Sequence, residues 1–216
     1  MILHEEVEAI IRASSSANLI RSLAAVYAII WIAAAIAPLD RGDWLLENLL
    51  VFIFVPVLAL SYRRFAFSLL SYALIFVFLC LHAYAAHYTY SFTPLGFWLQ
   101  ETLGQTRNHY DRIAHFAFGL LLTYPMLELG RRVLGLRGGF GYALPGLVAL
   151  GFSGGYEIVE WWAARSVDPE LGTAFLGTQG DDWDSQKDMS LALAGAAICL
   201  AASAAVGAAR ARTRTS

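Results

Sequence analysis

The chain has 216 residues, 58% hydrophobic and 15% charged, with a mean hydropathy of +0.55. Ordinary soluble domains carry about a quarter charged residues, so this composition excludes most soluble folds. A net charge of −2 with no basic patch gives no sign of a nucleic-acid partner.

Charge is absent from Ser22–Leu39, Asn48–Tyr62, Phe65–Gln100, Ile113–Leu127, Gly138–Tyr156 and Met189–Ala209. A helix needs about 20 mostly apolar residues to cross the hydrocarbon core. The expected fold is therefore all-α, a single transmembrane domain over residues 1–216 with six helices at roughly 20–39, 44–62, 65–86, 111–128, 138–160 and 187–209. Ahead of the first helix, Leu3, Val7, Ile10 and Ile11 recur at helical spacing, and residues 1–16 read as an amphipathic segment on the membrane surface. Ala35-Ile36-Ala37 mimics a signal-cleavage site, but Pro38 follows it and Glu5, Glu6 and Glu8 replace the usual basic cluster; the first helix is expected to be retained.

With six crossings both termini share one side. Arg12, Arg21, Arg63, Arg64, Arg131, Arg132, Arg137, Arg210, Arg212 and Arg214 fall there; Arg41, Arg107, Arg112, Arg165 and Lys187 fall opposite. The bias places both termini of a multi-pass membrane protein in the cytoplasm. Of the outward connections, the one after helix 3 carries Thr93-Pro94 and Gly104, start and stop signals for an interfacial helix with Leu95, Trp98, Leu99 and Leu103 on one face. The connection Ala164–Lys187 reads as a turn rich in glycine, flanked by Trp161, Trp162 and Trp183 as boundary anchors. Cys80 and Cys199 lie in apolar spans and read as small buried or lipid-facing hydrophobes.

Polar residues gather at the outward helix ends. Helix 3 ends in HAYAAHYTY (His82, His87), helix 4 begins NHYDRIAHF (His109, Asp111, Arg112, His115), helix 5 ends YEIVEWW (Glu157, Glu160), and helix 6 begins DDWDSQKDM (Asp181, Asp182, Asp184, Gln186, Asp188). Asp111 and His115, and Asp184 and Asp188, stand at i and i+4, and Glu157 and Glu160 at i and i+3, so each pair shares a helix face. Charges at depth in a span cost about 2.5–3.5 kcal/mol or more and are functional by default. Five carboxylates facing few cations need a divalent metal, retained protons or a cationic ligand to balance them. Mixed nitrogen and oxygen donors without thiolate suit Zn, Mn or Fe(II).

Blander roles compete with these. Asp181 fits an N-cap with Asp184 at N3, Asp182 a solvated surface residue, and Arg112 a helix-holding partner for Glu157 or Asp188. His82 and His87 fit interfacial or core histidines.

NHYDRIAHF, YEIVEWW and LGTQGDDWDSQKDM resemble the YjdF-type bacterial inner-membrane proteins, from about His82 to the end of helix 6. A more distant similarity is to VanZ-like proteins, whose pattern of Asp and His, then Glu, then Asp falls here on Asp111, His115, Glu157 and Asp188. The resemblance implies the membrane architecture and an outward polar site rather than a specific reaction.

The first functional expectation is a metal-dependent enzyme acting on a lipid or envelope precursor. Asp111, His115, Glu157 and Asp188 would be the metal ligands, Glu160, Asp184 and Arg112 the catalytic groups, and His109, Gln186 and His87 would bind a lipid-linked or small-molecule substrate. No H-E-x-x-H motif accompanies them. A proton- or cation-coupled transporter, and a non-enzymatic envelope or resistance factor whose polar cluster clamps helices, are the alternatives.

Overall fold

A computed structural model describes residues 2–213, with side chains from residue 15 onward. In chain order its helices are α1 (Ile2–Ala35), α2 (Arg41–Glu47), α3 (Leu49–Ser61), α4 (Leu69–His87), α5 (Pro94–Thr102), α6 (Tyr110–Val133), α7 (Gly138–Ser166), α8 (Pro169–Leu176) and α9 (Asp184–Thr213). No strand occurs among the described residues. The amphipathic segment expected at 1–16 is continuous with α1, and the face it would present lies outside the described side chains.

Four helices are long and apolar enough to cross a membrane: α1 from Ser15, α4, α6 and α9. A fifth crossing is available if α2 and α3, bent by 41° at their junction, form one span. The α7 helix has 29 residues, but its glycines and two glutamates are spread so that no membrane-length stretch of it is as apolar as those of these four. The second expected helix, 44–62, is thus two helices. Asn48 breaks it, its side-chain amide donating to the Trp44 carbonyl (2.8 Å) while its Oδ1 accepts the Trp31 indole N–H (2.7 Å). An amide that ends one helix while tied to α1 satisfies the backbone where the chain turns.

The central helix is α6, which packs against α4, α7 and α9. Its tightest neighbour is α9, because Gly119 faces Ala192 and Gly195 faces the α6 backbone. A Cβ on Gly119 would stand 1.8 Å from the Ala192 carbonyl oxygen, and one on Gly195 would stand 2.3 Å from that of Phe116. Small residues let membrane helices approach until dispersion contacts and polar groups meet directly. Between α1, α3, α4 and α6 lies the apolar core of Tyr27, Val51, Ile75, Leu79, Ala83 and Leu122. Outward-facing residues such as Ile29, Leu60 and Ile198 are more than half exposed, as expected where the solvent is lipid.

Each end of the bundle is pinned differently. At one end, Ser68 (backbone and hydroxyl), Ser71 and Arg132 all donate to the Glu128 carboxylate, joining the start of α4 to the end of α6. At the other, the Leu39 N–H donates to the His87 carbonyl and His87 Nδ1–H donates to the Ala34 carbonyl, each at 2.9 Å, joining α1 to α4. This second end holds the expected functional residues.

Candidate functional site

The close seam between α6 and α9 sets the site. One turn beyond Gly119 and Ala192, His115 comes opposite Asp188; one further turn brings Asp111 level with Asp184. One donor atom each from Asp111, His115 and Asp188 falls within a mutual 4.8 Å. His115 Nε2 is 3.7 Å from Asp111 Oδ1 and 3.5 Å from Glu157 Oε1. Donors 2.0–2.2 Å from one tetrahedral ion are about 3.3 Å apart, so these separations suit a shared cation with little rearrangement. The other imidazole nitrogen, Nδ1, is 3.2 Å from Ser153 Oγ, a partner that can hold the Nε2 lone pair toward the acids.

Two oxygens here are buried without a hydrogen-bond donor: Glu157 Oε1 and Asp188 Oδ1. Asp188 is 2% exposed. Leaving such a group unpaired costs about 1–3 kcal/mol, and more if it is charged. Glu160, also buried, interacts with Glu157 one helical turn away.

Above this cluster lies a second layer, built of ion pairs. Arg107 forks onto Asp184, Nη1 to Oδ1 at 2.6 Å and Nη2 to Oδ2 at 3.1 Å, and also donates to the Thr178 and Gly177 carbonyls. Arg112 donates to Asp181 and, at 3.0 Å, to Asp184 Oδ1. Lys187 donates to Asp181 at 2.6 Å. The Lys187 ammonium, the Trp183 amide and Arg112 together hold the Asp181 carboxyl well below the usual carboxylate range. His109, 3.3 Å from Arg112 through Nδ1, is pushed down by burial and by that guanidinium, which favours its neutral form.

Two bland expectations need correction. Arg112 pairs with Asp181 and Asp184, because its side chain follows the start of α9 and not the deeper Glu157 or Asp188. The helix that Asp181 was expected to cap with Asp184 at N3 begins instead at Asp184, and Asp181 accepts the Trp183 amide at 3.1 Å. Of the expected site residues, Asp111, His115, Glu157 and Asp188 come together, with Glu160 adjoining them. Asp184, Arg112 and His109 lie in the paired layer. His87 is engaged with Ala34, Gln186 is exposed, and neither lines the cavity described below.

Several residues were not anticipated. Arg107 is 8% exposed although it precedes α6 in a connection. Glu47, buried at the end of α2, accepts the Tyr156 hydroxyl at 2.9 Å, and Asp43 one turn before it is fully buried. The i, i+4 spacing of Asp43 and Glu47 just before a charge-free run is the signal in the sequence. Asn108 and Gln179 exchange paired amide bonds, the Asn108 N–H to Gln179 Oε1 at 3.0 Å and Gln179 Nε2 to the Asn108 carbonyl at 2.9 Å. They stitch the α5–α6 and α8–α9 connections over the site. The α8 helix itself lies where a turn was expected. Asp168 caps it, Pro169 starts it and Gly177, in the left-handed region at φ 59°, ends it.

A cavity of about 380 Å3 reaches this cluster. Its polar residues lie at the site ends of α2, α4 and α6 (Glu47, His82, Asp111, His115), just after α4 (Tyr90) and on α7 (Ser153, Tyr156); its remaining walls are apolar. His82 bonds through Nδ1 to the Tyr90 hydroxyl, so it serves both the packing and the cavity wall.

No solved structure matches the chain. The inner membrane protein YjdF of Escherichia coli (strain K12) is 41% identical over 169 residues, which cover 78% of this chain and 80% of that relative. A family model described as a predicted membrane protein (DUF2238) matches residues 19–209. A match over nearly all the described bundle, together with its apolar helices, identifies the chain as a multi-pass inner-membrane protein that belongs to the DUF2238 family.

Proposed function

We propose that this protein is a divalent-cation-dependent membrane enzyme acting at the outer rim on a lipid or envelope precursor. The observation that carries this reading is the convergence of Glu157 Oε1 and Asp188 Oδ1, neither with a hydrogen-bond donor, on His115 Nε2 and Asp111. A Zn, Mn or Fe(II) ion held by Asp111, His115 and Asp188, with Glu157 beside them, would neutralise the deep acids and supply Lewis acidity. Glu160, next to Glu157, accepts and returns a proton. Arg107, Arg112 and Asp184 position the start of α9, and with it Asp188.

In this reading the whole chain is one transmembrane domain. It crosses six times, with α2 and α3 as one crossing and α7 as another, and both termini are cytoplasmic. Support comes from the shared end of the acids, from the excess of arginine at the opposite end, and from the exposed Trp161, Trp162 and Trp183 beside the site. A transport path would need free polar groups along the other half. Glu128, the acid expected there, is already engaged by Ser68, Ser71 and Arg132.

Elemental analysis of detergent-purified protein tests this. About one equivalent of Zn, Mn or Fe is expected in the wild type and much less in His115→Ala and Asp188→Asn. Wild-type protein holding no stoichiometric metal, with a melting temperature indifferent to chelator, would overturn the proposal.

A further inference from the structure

The cavity has a shape that a water-soluble substrate does not need. On α6 its wall is formed by Asp111, Ala114, His115, Phe118, Leu122 and Met126, spaced i, i+3, i+4, i+7, i+11 and i+15. That is one stripe running about 22 Å along the helix axis. On α3 the facing stripe is Leu50, Val51, Phe54 and Val57. The space therefore runs parallel to the spans, polar at the rim and apolar toward the bilayer centre, as a membrane lipid itself is arranged.

It also opens sideways. Ile53, Val57 and Phe152 line it and are nevertheless 62%, 58% and 63% exposed, on the surface that faces hydrocarbon. At the rim, the polar end sits under the Arg107–Asp184 pair and the Asn108–Gln179 stitch. Entry from the bilayer between α3 and α7 avoids breaking those bonds. A volume of about 380 Å3 is at the small end of the about 300–1,000 Å3 usual for ligand pockets, enough for one chain and not for a whole diacyl lipid.

We infer that the groove between α3, α6 and α7 is an acyl-chain subsite, which takes one chain of a bilayer phospholipid laterally and brings its phosphate head to the Asp111–His115–Asp188 cluster. The head-group part of this rests on the cation reading above; the chain subsite does not. An anionic phosphodiester needs the cation as its partner at a cluster of acids, whereas the chain needs only the apolar stripes.

The test uses the full-length protein in vesicles of phosphatidylethanolamine and phosphatidylglycerol containing a trace of phosphatidylglycerol with a photoactivatable group at the chain end. Cross-links should concentrate at least fivefold on α3 and α6 peptides containing Phe54, Val57, Phe118 and Leu122, relative to the lipid-facing α9 peptide containing Leu193. The double variant Ile53→Trp/Val57→Trp fills the groove from positions already exposed, so it should fold normally. It should cut groove labelling at least fivefold and leave metal content unchanged. Label spread evenly over all outward faces, or groove labelling unaffected by the two tryptophans, would overturn the subsite. Displacement of the label by an equimolar polyprenyl phosphate, but not by unlabelled phosphatidylglycerol, would overturn the choice of an acyl lipid. Groove labelling in a protein without bound metal would retain the chain subsite and remove the cation reading alone.

Discussion

Gly119 of α6 lies directly against the backbone of Ala192 of α9, with 1.8 Å between the position a Cβ would take and the Ala192 carbonyl oxygen. Backbone cannot yield as a flexible side chain can. Gly119→Ala should therefore force the helices apart, destabilising the protein by about 1–3 kcal/mol, and Gly119→Leu by more. Because His115 and Asp188 stand one turn from this contact, metal content should fall along with the melting temperature. A Gly119→Leu protein with full metal content would show that the seam does not set the site.

Asp188→Asn should separate function from stability. Asp188 is buried with one oxygen lacking a donor, so a neutral amide of the same shape removes a cost that the carboxylate bears when no cation is bound. In chelator-treated protein the variant should melt at the same temperature as the wild type or a few degrees higher, while losing stoichiometric metal. Marked destabilisation instead would point to the clamp role, in which the acid holds helices together.

Removing Arg107 should be costly in the opposite way. Its fork onto Asp184 is buried on both sides, and breaking one partner of a buried pair typically costs about 3–5 kcal/mol. Arg107→Ala should show that loss in equilibrium unfolding. Arg107→Lys, which keeps the charge but loses the bidentate geometry and one of the carbonyl contacts, should recover part of it.

Asp181 gives the outer layer a dependence on acid. Lys187, the Trp183 amide and Arg112 lower its folded-state pKa beneath the unfolded value of about 3.9. Its stabilising contribution is thus complete above roughly that pH and fades as the pH falls through the folded value. Between pH 5 and pH 2.5 the wild type should lose melting temperature more steeply than Asp181→Asn. Parallel curves would mean that the ion pairs at Asp181 contribute nothing measurable.

What the sequence revealed follows from which properties are local. Asp111 with His115, and Asp184 with Asp188, are neighbours by helical spacing alone, and connectivity puts their helix ends on one side of the bundle. Which ends touch is not local: it depends on Gly119, Ala192 and Gly195, residues whose importance lies in what they lack. Arg107 was hidden for a related reason. It sits in a connection, where arginine is ordinarily solvated, and it is buried only because residues 177 and 178 fold back to offer it carbonyls. The α8 helix carried the same start and stop signals as α5, but the glycine-rich stretch after it obscured them. Asp43 and Glu47 are hard to read from sequence because the charge-free run that marks the crossing begins only at Asn48, so both look like flanking surface acids.

The break at Asn48 has a consequence for how such a protein can diversify. The acids of α2 are anchored through that residue to α1, while α3 leaves the junction at 41° carrying a wall of the groove on an independent axis. If that groove is the proposed acyl-chain subsite, substitutions along α3 reshape it without disturbing the carboxylates at its mouth. Relatives could then drift in the tails they accept while keeping one unaltered chemistry at the head.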